Sequence, residues 1–222
     1  MAIAFVQQAT GTQAAGTTAT ATLGGSPTSN NMLVACIASG AGDVSGVSGG
    51  GVTTWTKLKG PGPISSAWVN IYYGVVDTTP ATAVTATATS GTIAVNLSEW
   101  SGIKTSGAAD ASTDQDQGPG TAVATGPITA SAGPCLYIAA GTHGQTLSAG
   151  PTDTFTALTV ANASGRRVQG VYRIDSGSPA SATPAYTIGG SASWDMVAGA
   201  LQGTSATADI SDPFGINGFF GV

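Results

Sequence analysis

Short apolar stretches separated by turn residues recur along the whole chain. They are rich in Val, Ile, Thr and aromatic residues and are bounded by Gly, Pro, Asn or Asp, which is the pattern of β-strands. They lie at residues 32–38, 68–76, 82–89, 92–100, 134–140, 154–158, 168–174, 185–188 and 193–201. Helical spacing of apolar residues is hard to find. The pattern therefore predicts an all-β protein, a β-sandwich or jelly roll of about ten strands.

The strand pattern of the first half returns in the second. Residues 31–40 resemble residues 134–141, and residues 73–77 resemble residues 172–175. Both pairs are separated by roughly 100 residues, which is the signature of an internal repeat. We therefore expect two similar halves.

Two such halves could be tandem domains, or they could interleave in one pseudo-symmetric sandwich. We favour one sandwich over residues 1–203, with halves at about 5–104 and 105–203, because each half alone contains few large apolar residues to offset its chain entropy. Residues 105–120 are the most loop-like stretch of the chain. We expect them to form the junction, either as a loop or as a linker.

The C-terminal residues depart from the strand pattern. Residues 204–222 are strongly apolar for a terminus, and glycines between the aromatic residues prevent a regular helix. We expect an extended arm that docks on its own sandwich or on a neighbouring subunit, and we favour the neighbour. The predicted partner-binding residues are Phe214, Ile216, Phe219 and Phe220.

The composition excludes several classes of protein. A hydrophobic content of 41% and a mean hydropathy of +0.21 provide enough apolar surface for a folded core. Six basic residues are scattered among eleven acidic ones, so we expect no nucleic-acid partner. Because no apolar run is long enough for a transmembrane helix or a signal peptide, we expect no membrane partner and synthesis in a cytoplasm.

Candidate catalytic residues are few. The only histidine, His143, follows an apolar strand in a turn, and no Gly-x-Ser-x-Gly elbow accompanies it. We interpret His143 as a surface residue. Glycosidases need two facing carboxylates, and Glu99 is the only glutamate. We interpret Glu99 as a strand-end carboxylate that accepts hydrogen bonds from backbone or tryptophan N–H groups, and we predict no enzymatic activity.

Metal sites and disulfides receive little support from the sequence. Asp110, Asp114 and Asp116 supply oxygen ligands that could hold calcium, but their spacing is not that of an EF-hand loop. We interpret them as a solvated acidic turn. Cys36 and Cys135 each lie in an apolar run, so we interpret them as buried small hydrophobes rather than a disulfide. We predict no metal and no cofactor.

Four tryptophans offer a possible carbohydrate-binding surface, since their rings could stack on sugars if they shared one face. Trp100 and Trp194 lie in apolar runs, and Trp55 has a counterpart, Phe155, in the second half. These positions favour the core. Trp68 is the tryptophan that we expect to be an exception.

The segments 31–38, 55–58, 68–73 and 92–103 together resemble a family of Gly/Thr/Ala-rich β-sandwich proteins found in bacteriophage virions and on bacterial surfaces. In that family a strand ending in Glu, an aromatic residue, Ser and Gly recurs, and residues 99–102 match it. The likeness covers most of residues 15–202 and includes no active-site motif. The apolar arm is not part of the family pattern.

The resemblance, the missing catalytic chemistry and the apolar arm lead to one hypothesis. We expect a structural protein of a tailed-bacteriophage virion, made in the host cytoplasm: a capsid decoration or cement protein that binds the major capsid protein or another virion protein between capsomers. On the particle it would form homo-oligomers. The alternative is a tail-fibre or adhesin-type β-sandwich that binds host-surface glycans through Trp68 and polar loop groups.

Overall fold

The computed structural model describes residues 1–60, 68–89 and 91–204. These residues contain fifteen strands and no α-helix, so no helix in this part of the chain could cross a membrane. The all-β prediction is confirmed, although more strands are present than the ten expected, since several are only two to four residues long. The strands are β1 (Ala4–Gln13), β2 (Thr18–Thr22), β3 (Met32–Ser39), β4 (Val44–Gly49), β5 (Thr56–Lys59), β6 (Trp68–Val75), β7 (Ala83–Ala88), β8 (Ile93–Ser101), β9 (Ala109–Ala124), β10 (Cys135–His143), β11 (Leu147–Ala149), β12 (Thr156–Ala157), β13 (Ala161–Ala163), β14 (Arg166–Asp175) and β15 (Ala185–Gln202).

The first eight strands form two antiparallel sheets. One has the order β1-β8-β3-β6-β5, and the other has the order β2-β7-β4. The central strands β3 and β8 are buried almost throughout, because both faces of their sheet are covered. In β2, by contrast, Ala19 and Ala21 are buried while the three threonines that alternate with them are exposed. The small sheet therefore has one face on the core and one face in solvent.

The last seven strands form a single antiparallel sheet with the order β11-β15-β10-β14-β12, to which β9 is added on β15 and β13 on β14. Part of this sheet repeats the first half: β9-β15-β10-β14-β12 follows the same order as β1-β8-β3-β6-β5. The registers also match. Met32 of β3 pairs with Trp100 of β8, and Leu136 of β10 pairs with Leu201 of β15.

Three hydrophobic cores result from the alternation of side chains along the strands. Met32, Val34 and Cys36 of β3 point into a core shared with the seven-stranded sheet, whereas Leu33 and Ile37 point toward the three-stranded sheet. A third core covers the other face of the seven-stranded sheet. Its largest fully buried side chains are Tyr137, Tyr186 and Ile188.

Both cysteines are buried and free, as the sequence predicted. Cys36 lies in the core shared by the two large sheets, and Cys135 lies in the third core. Burial raises the pKa of the Cys36 thiol to about 12, because the charged thiolate is poorly solvated there. The two thiols therefore act as small hydrophobic side chains.

The junction between the halves differs from the expectation. Most of residues 105–120, predicted as a loop, belong to β9, which pairs with β15 along much of its length. Small polar residues carry no visible period of two, but the β15 backbone supplies hydrogen-bond partners for the strand regardless of side chain. The true connection is short and is fixed by a bridge between Ile103 and Gly203.

Candidate functional site

His143 is not a surface residue, so that prediction is wrong. Strand β10 continues through it, its side chain is 1% exposed, and its ring lies 5.6 Å from the ring of Tyr186. A backbone hydrogen bond with Gln145 favours the charged imidazole, but its effect on the pKa is smaller than that of burial. Burial lowers the pKa of His143 to about 4, and the charge of Arg167 adds to this effect. The imidazole is therefore neutral near pH 7 and enclosed.

Glu99 is a fully buried member of β8 with several hydrogen-bond donors around it. Its Oε1 accepts from the Thr28 backbone N–H at 2.8 Å and from Asn31 Nδ2 at 2.6 Å, while Oε2 accepts from Gln7 Nε2 at 2.6 Å. The predicted backbone N–H bond is present. The tryptophan bond is not, because Trp100 Nε1 donates to Ser98 Oγ. Glu99 thus fastens the turn before β3 to the sheet.

The three aspartates predicted to form an acidic turn lie on strand β9 instead. Asp110 is buried, and its Oδ2 accepts hydrogen bonds from the Ser131 N–H and hydroxyl and from Gln202 Nε2. Asp114 is half-buried and Asp116 is exposed. Among the described residues, no three His, Cys, Asp or Glu side chains are grouped closely enough to hold a metal ion.

The tryptophans divide into two pairs. Trp100 and Trp194 are buried, as predicted for core residues. The Trp100 ring packs edge-on against the rings of Tyr172 and Phe5, with distances between ring centres of 4.7 Å and 5.3 Å. Trp55 and Trp68 are half-buried.

An apolar pocket of about 260 Å³ lies where the described chain ends. It sits between the N-terminal residues, the start of β10 and the end of β14, so both halves of the chain contribute to it. Thr204, the last described residue, is part of its wall. The lining residues are Met1, Ala2, Ile3, Pro134, Ile174, Ser176 and Thr204. The predicted partner-binding residues Phe214, Ile216, Phe219 and Phe220 lie outside the described residues.

A second, larger cavity of about 340 Å³ opens beside strands β5 and β6 and the connection between the halves. Hydroxyl-bearing side chains dominate it. The lining residues are Met32, Thr53, Thr54, Thr56, Tyr73, Gly74, Val75, Thr105, Gly107 and Ala108. Sequence reasoning found neither cavity. The one available signal for this cavity was the cluster of threonines at 53–56.

No protein-family model, curated protein or solved structure matches the chain.

Proposed function

We propose that this chain is a structural protein of a tailed-bacteriophage virion, namely a capsid decoration or cement protein. Made in the host cytoplasm, it would bind the major capsid protein or another virion protein between capsomers and form homo-oligomers on the particle. The likeness of residues 15–202 to Gly/Thr/Ala-rich virion and surface β-sandwiches supports this setting.

One observation carries the proposal: an apolar segment begins at the wall of an apolar pocket. Residues 205–222 contain Phe214, Ile216, Phe219 and Phe220, and Thr204 lines the pocket beside Ile3 and Ile174. Exposed Met1, Phe5 and Val6 enlarge the apolar surface of the same N-terminal region. Apolar surface of this kind is typical of protein contact sites, and aromatic anchors supply most of the binding energy in many interfaces.

The fold suits repeated, close packing. We infer that residues 1–203 are one β-sandwich built from an internal repeat, with residues 204–222 as an arm. The matching strand orders and the core shared by the two large sheets support this inference. A contact burying about 1,600 Å² in total is sufficient for a specific interface, and many copies on one shell add avidity.

The proposal assigns no catalytic role. Its support is the environment of the two candidate residues: His143 is enclosed and neutral, and both Glu99 oxygens accept hydrogen bonds from fixed donors. Neither group is placed to exchange a proton with a substrate.

The test compares binding of three purified proteins to DNA-free phage heads by co-sedimentation: the full chain, a chain truncated after Gly203, and Phe219→Ser/Phe220→Ser. We expect the full chain to bind and both altered chains to lose at least tenfold in affinity, since each buried phenylalanine contributes about 1.5–3 kcal/mol. Val160→Ser is the matched control, because Val160 is an exposed apolar residue outside the pocket.

Two results would overturn the proposal. One is the absence of head binding by the full chain. The other is head binding that survives both truncation and the double substitution, because the arm would then not be the anchor. Circular dichroism of each variant shows whether the β-sheet body is intact.

A further inference from the structure

We infer that the cavity beside β5 and β6 is a binding site for a neutral sugar residue. The inference does not depend on virion assembly, since no described residue lines both the cavity and the apolar pocket. Glycan binding is the alternative function that the sequence suggested, but the residues that line this cavity do not include Trp68.

The cavity presents several hydroxyl groups toward one space. Thr56 of β5 pairs directly with Tyr73 of β6 across the sheet. Side chains of a directly opposed antiparallel pair project to the same face. Thr54 precedes this pair, and Thr105 approaches from the connection between the halves. Within the described chain, none of these four hydroxyls makes a hydrogen bond, so each is free to donate and accept.

The remaining wall is apolar and uncharged. Met32, Val75 and Ala108 supply carbon surface, and among the residues that the structure describes no Lys, Arg, Asp, Glu or His lines the cavity. A charged ligand would therefore leave its charge without a partner in this cavity. A pyranose ring combines hydroxyls with a C–H face, which matches hydroxyl donors beside the Tyr73 ring. The volume of about 340 Å³ falls in the range of small-molecule sites.

Backbone packing keeps the cavity walls in place. Gly74 lies so close to the preceding segment that a Cβ atom would collide with the Val52 side chain and lie 3.0 Å from the Thr54 carbonyl oxygen. Strand β6 and residues 52–54 are therefore held together by direct contact. Gly107 has a φ of +60° and open space beside its Cα atom. A side chain added there would enter that space.

The structure also explains why Trp68 is not the sugar-binding residue. Trp68 begins β6 and does not line the cavity. Tyr73, five residues further along the same strand, takes the place expected for an aromatic platform. The two side chains lie on opposite faces of β6 because their positions differ by an odd number.

The test is saturation-transfer NMR on the full chain with the methyl glycosides of glucose, mannose and galactose, at about 20 mM for an expected Kd of about 1 mM. Glucuronate serves as the charged probe and glycerol as the small polyol. We expect at least one neutral glycoside to bind and the other two probes to give no signal. A trisaccharide that ends in the same sugar then distinguishes the end of a glycan from a free sugar as the ligand. If it binds, the ligand is the end of a glycan, and if the glycoside alone binds, the ligand is a free sugar.

Substitutions locate the site. Tyr73→Phe and Thr56→Val each remove one hydroxyl with little change in shape, and we expect each to weaken binding about three- to tenfold. Thr18→Val is the matched control, because Thr18 is exposed on β2 of the three-stranded sheet. Gly107→Asn adds a side chain to a residue of the cavity wall at a positive φ that asparagine tolerates, and we expect it to weaken binding.

Three results would overturn the inference. The first is the absence of binding by all three glycosides. The second is a preference for glucuronate or an equal response to glycerol. The third is unchanged affinity in Tyr73→Phe, Thr56→Val and Gly107→Asn, provided that their unfolding midpoints match that of the unaltered chain. Loss of head binding leaves these readouts unaffected.

Discussion

The two halves of the chain share a strand order but fasten their central strands with different polar groups. In the first half, Glu99 of β8 faces Leu33 of β3 and holds Thr28 and Asn31 through its carboxylate. The equivalent residue of β15, which faces Tyr137 of β10, is Ala200. The carboxylate therefore has no counterpart at the same place in the second half.

The second half uses the central strand itself. The Tyr137 hydroxyl accepts from the Ala130 N–H at 3.0 Å and donates to the Ala180 carbonyl at 2.9 Å. Asp110 adds hydrogen bonds to Ser131 and Gln202. The two halves therefore share a strand order and register, whereas different polar contacts fix the turns in each half.

The ion pairs differ in the same way. Lys57 in the first half is paired with Asp43 at 2.8 Å, and the two side chains are 34% and 40% exposed. Arg173 in the second half is 8% exposed and pairs with Asp175 at 2.9 Å and Asp153 at 3.1 Å. Its guanidinium also lies 5.0 Å from the centre of the Tyr137 ring. Among the described residues, the paired cation is therefore buried in the second half and partly exposed in the first.

Removing the Glu99 carboxylate should have the largest effect. Glu99→Ala leaves the Thr28 N–H and the Asn31 side-chain amide without the carboxylate acceptor, and Gln7 Nε2 keeps only the Gly25 carbonyl oxygen, so we expect a loss of about 3 kcal/mol or more in the free energy of unfolding. Urea denaturation measures it. Glu99→Gln keeps one acceptor oxygen, so we expect a smaller loss in the free energy of unfolding than for Glu99→Ala.

Ser101→Ala is the control for this experiment, since Ser101 is a half-buried neighbour on the same strand. We expect it to change the stability by less than about 0.5 kcal/mol. A Glu99→Ala protein as stable as Ser101→Ala would show that the first half does not need the carboxylate.

Arg173→Met tests the second half. The substitution keeps much of the apolar stem but removes the hydrogen bonds to Asp175, to Ala180 O and to Ser181 O. We expect a loss of about 2–3 kcal/mol in the free energy of unfolding, because partly buried acceptors lose a charged donor. The same urea series measures it. A loss below about 1 kcal/mol would remove the contrast between the two halves.

The sequence predicted the strands better than it predicted their surroundings. Apolar runs identified β3, β8, β10 and the last part of β15, because strands buried on both faces are mostly apolar. Residues 109–120 of strand β9 were missed, because the strand is stabilised by pairing with β15 and these side chains are small and polar. The local composition of a segment does not indicate which strand it will pair with.

The sites were the least predictable part. His143 follows an apolar run and precedes a glycine, which is typical of an exposed turn, yet Tyr186 covers it from a strand more than forty residues away. Both cavities likewise combine residues from distant segments, such as Thr56 with Thr105 and Ile3 with Ile174. A single sequence indicates residue types, and only the tertiary structure brings them together.

Two buried titratable groups in the second half should give opposite pH dependences. Burial raises the pKa of Asp195 from 3.8 to about 7, so its contribution is full at low pH and is lost as the pH rises through 7. The pKa of His143 falls from 6.5 to about 4, so its contribution is full above 6.5 and is lost as the pH falls toward 4.

The measurement is the free energy of unfolding between about pH 6 and pH 8. Asp195→Asn should gain stability relative to the unaltered chain as the pH rises, and His143→Gln should lose it, by about 1 kcal/mol each over this range. Parallel profiles for the three proteins would show that neither group titrates differently in the folded and unfolded states.

We expect the smallest change in the free energy of unfolding when the ion pair of the first half is removed. Lys57 donates to Asp43 on the surface, where water screens the pair and both long side chains lose freedom on pairing. Lys57→Met keeps a long apolar side chain but removes the ammonium, which lies 5.4 Å from the centre of the Tyr72 ring. We expect a loss below about 0.5 kcal/mol that disappears in high salt. A salt-independent loss of stability as large as that of Arg173→Met would show that the exposed ion pair stabilises the first half as much as the buried ion pair stabilises the second. The halves would then differ in the Glu99 carboxylate alone.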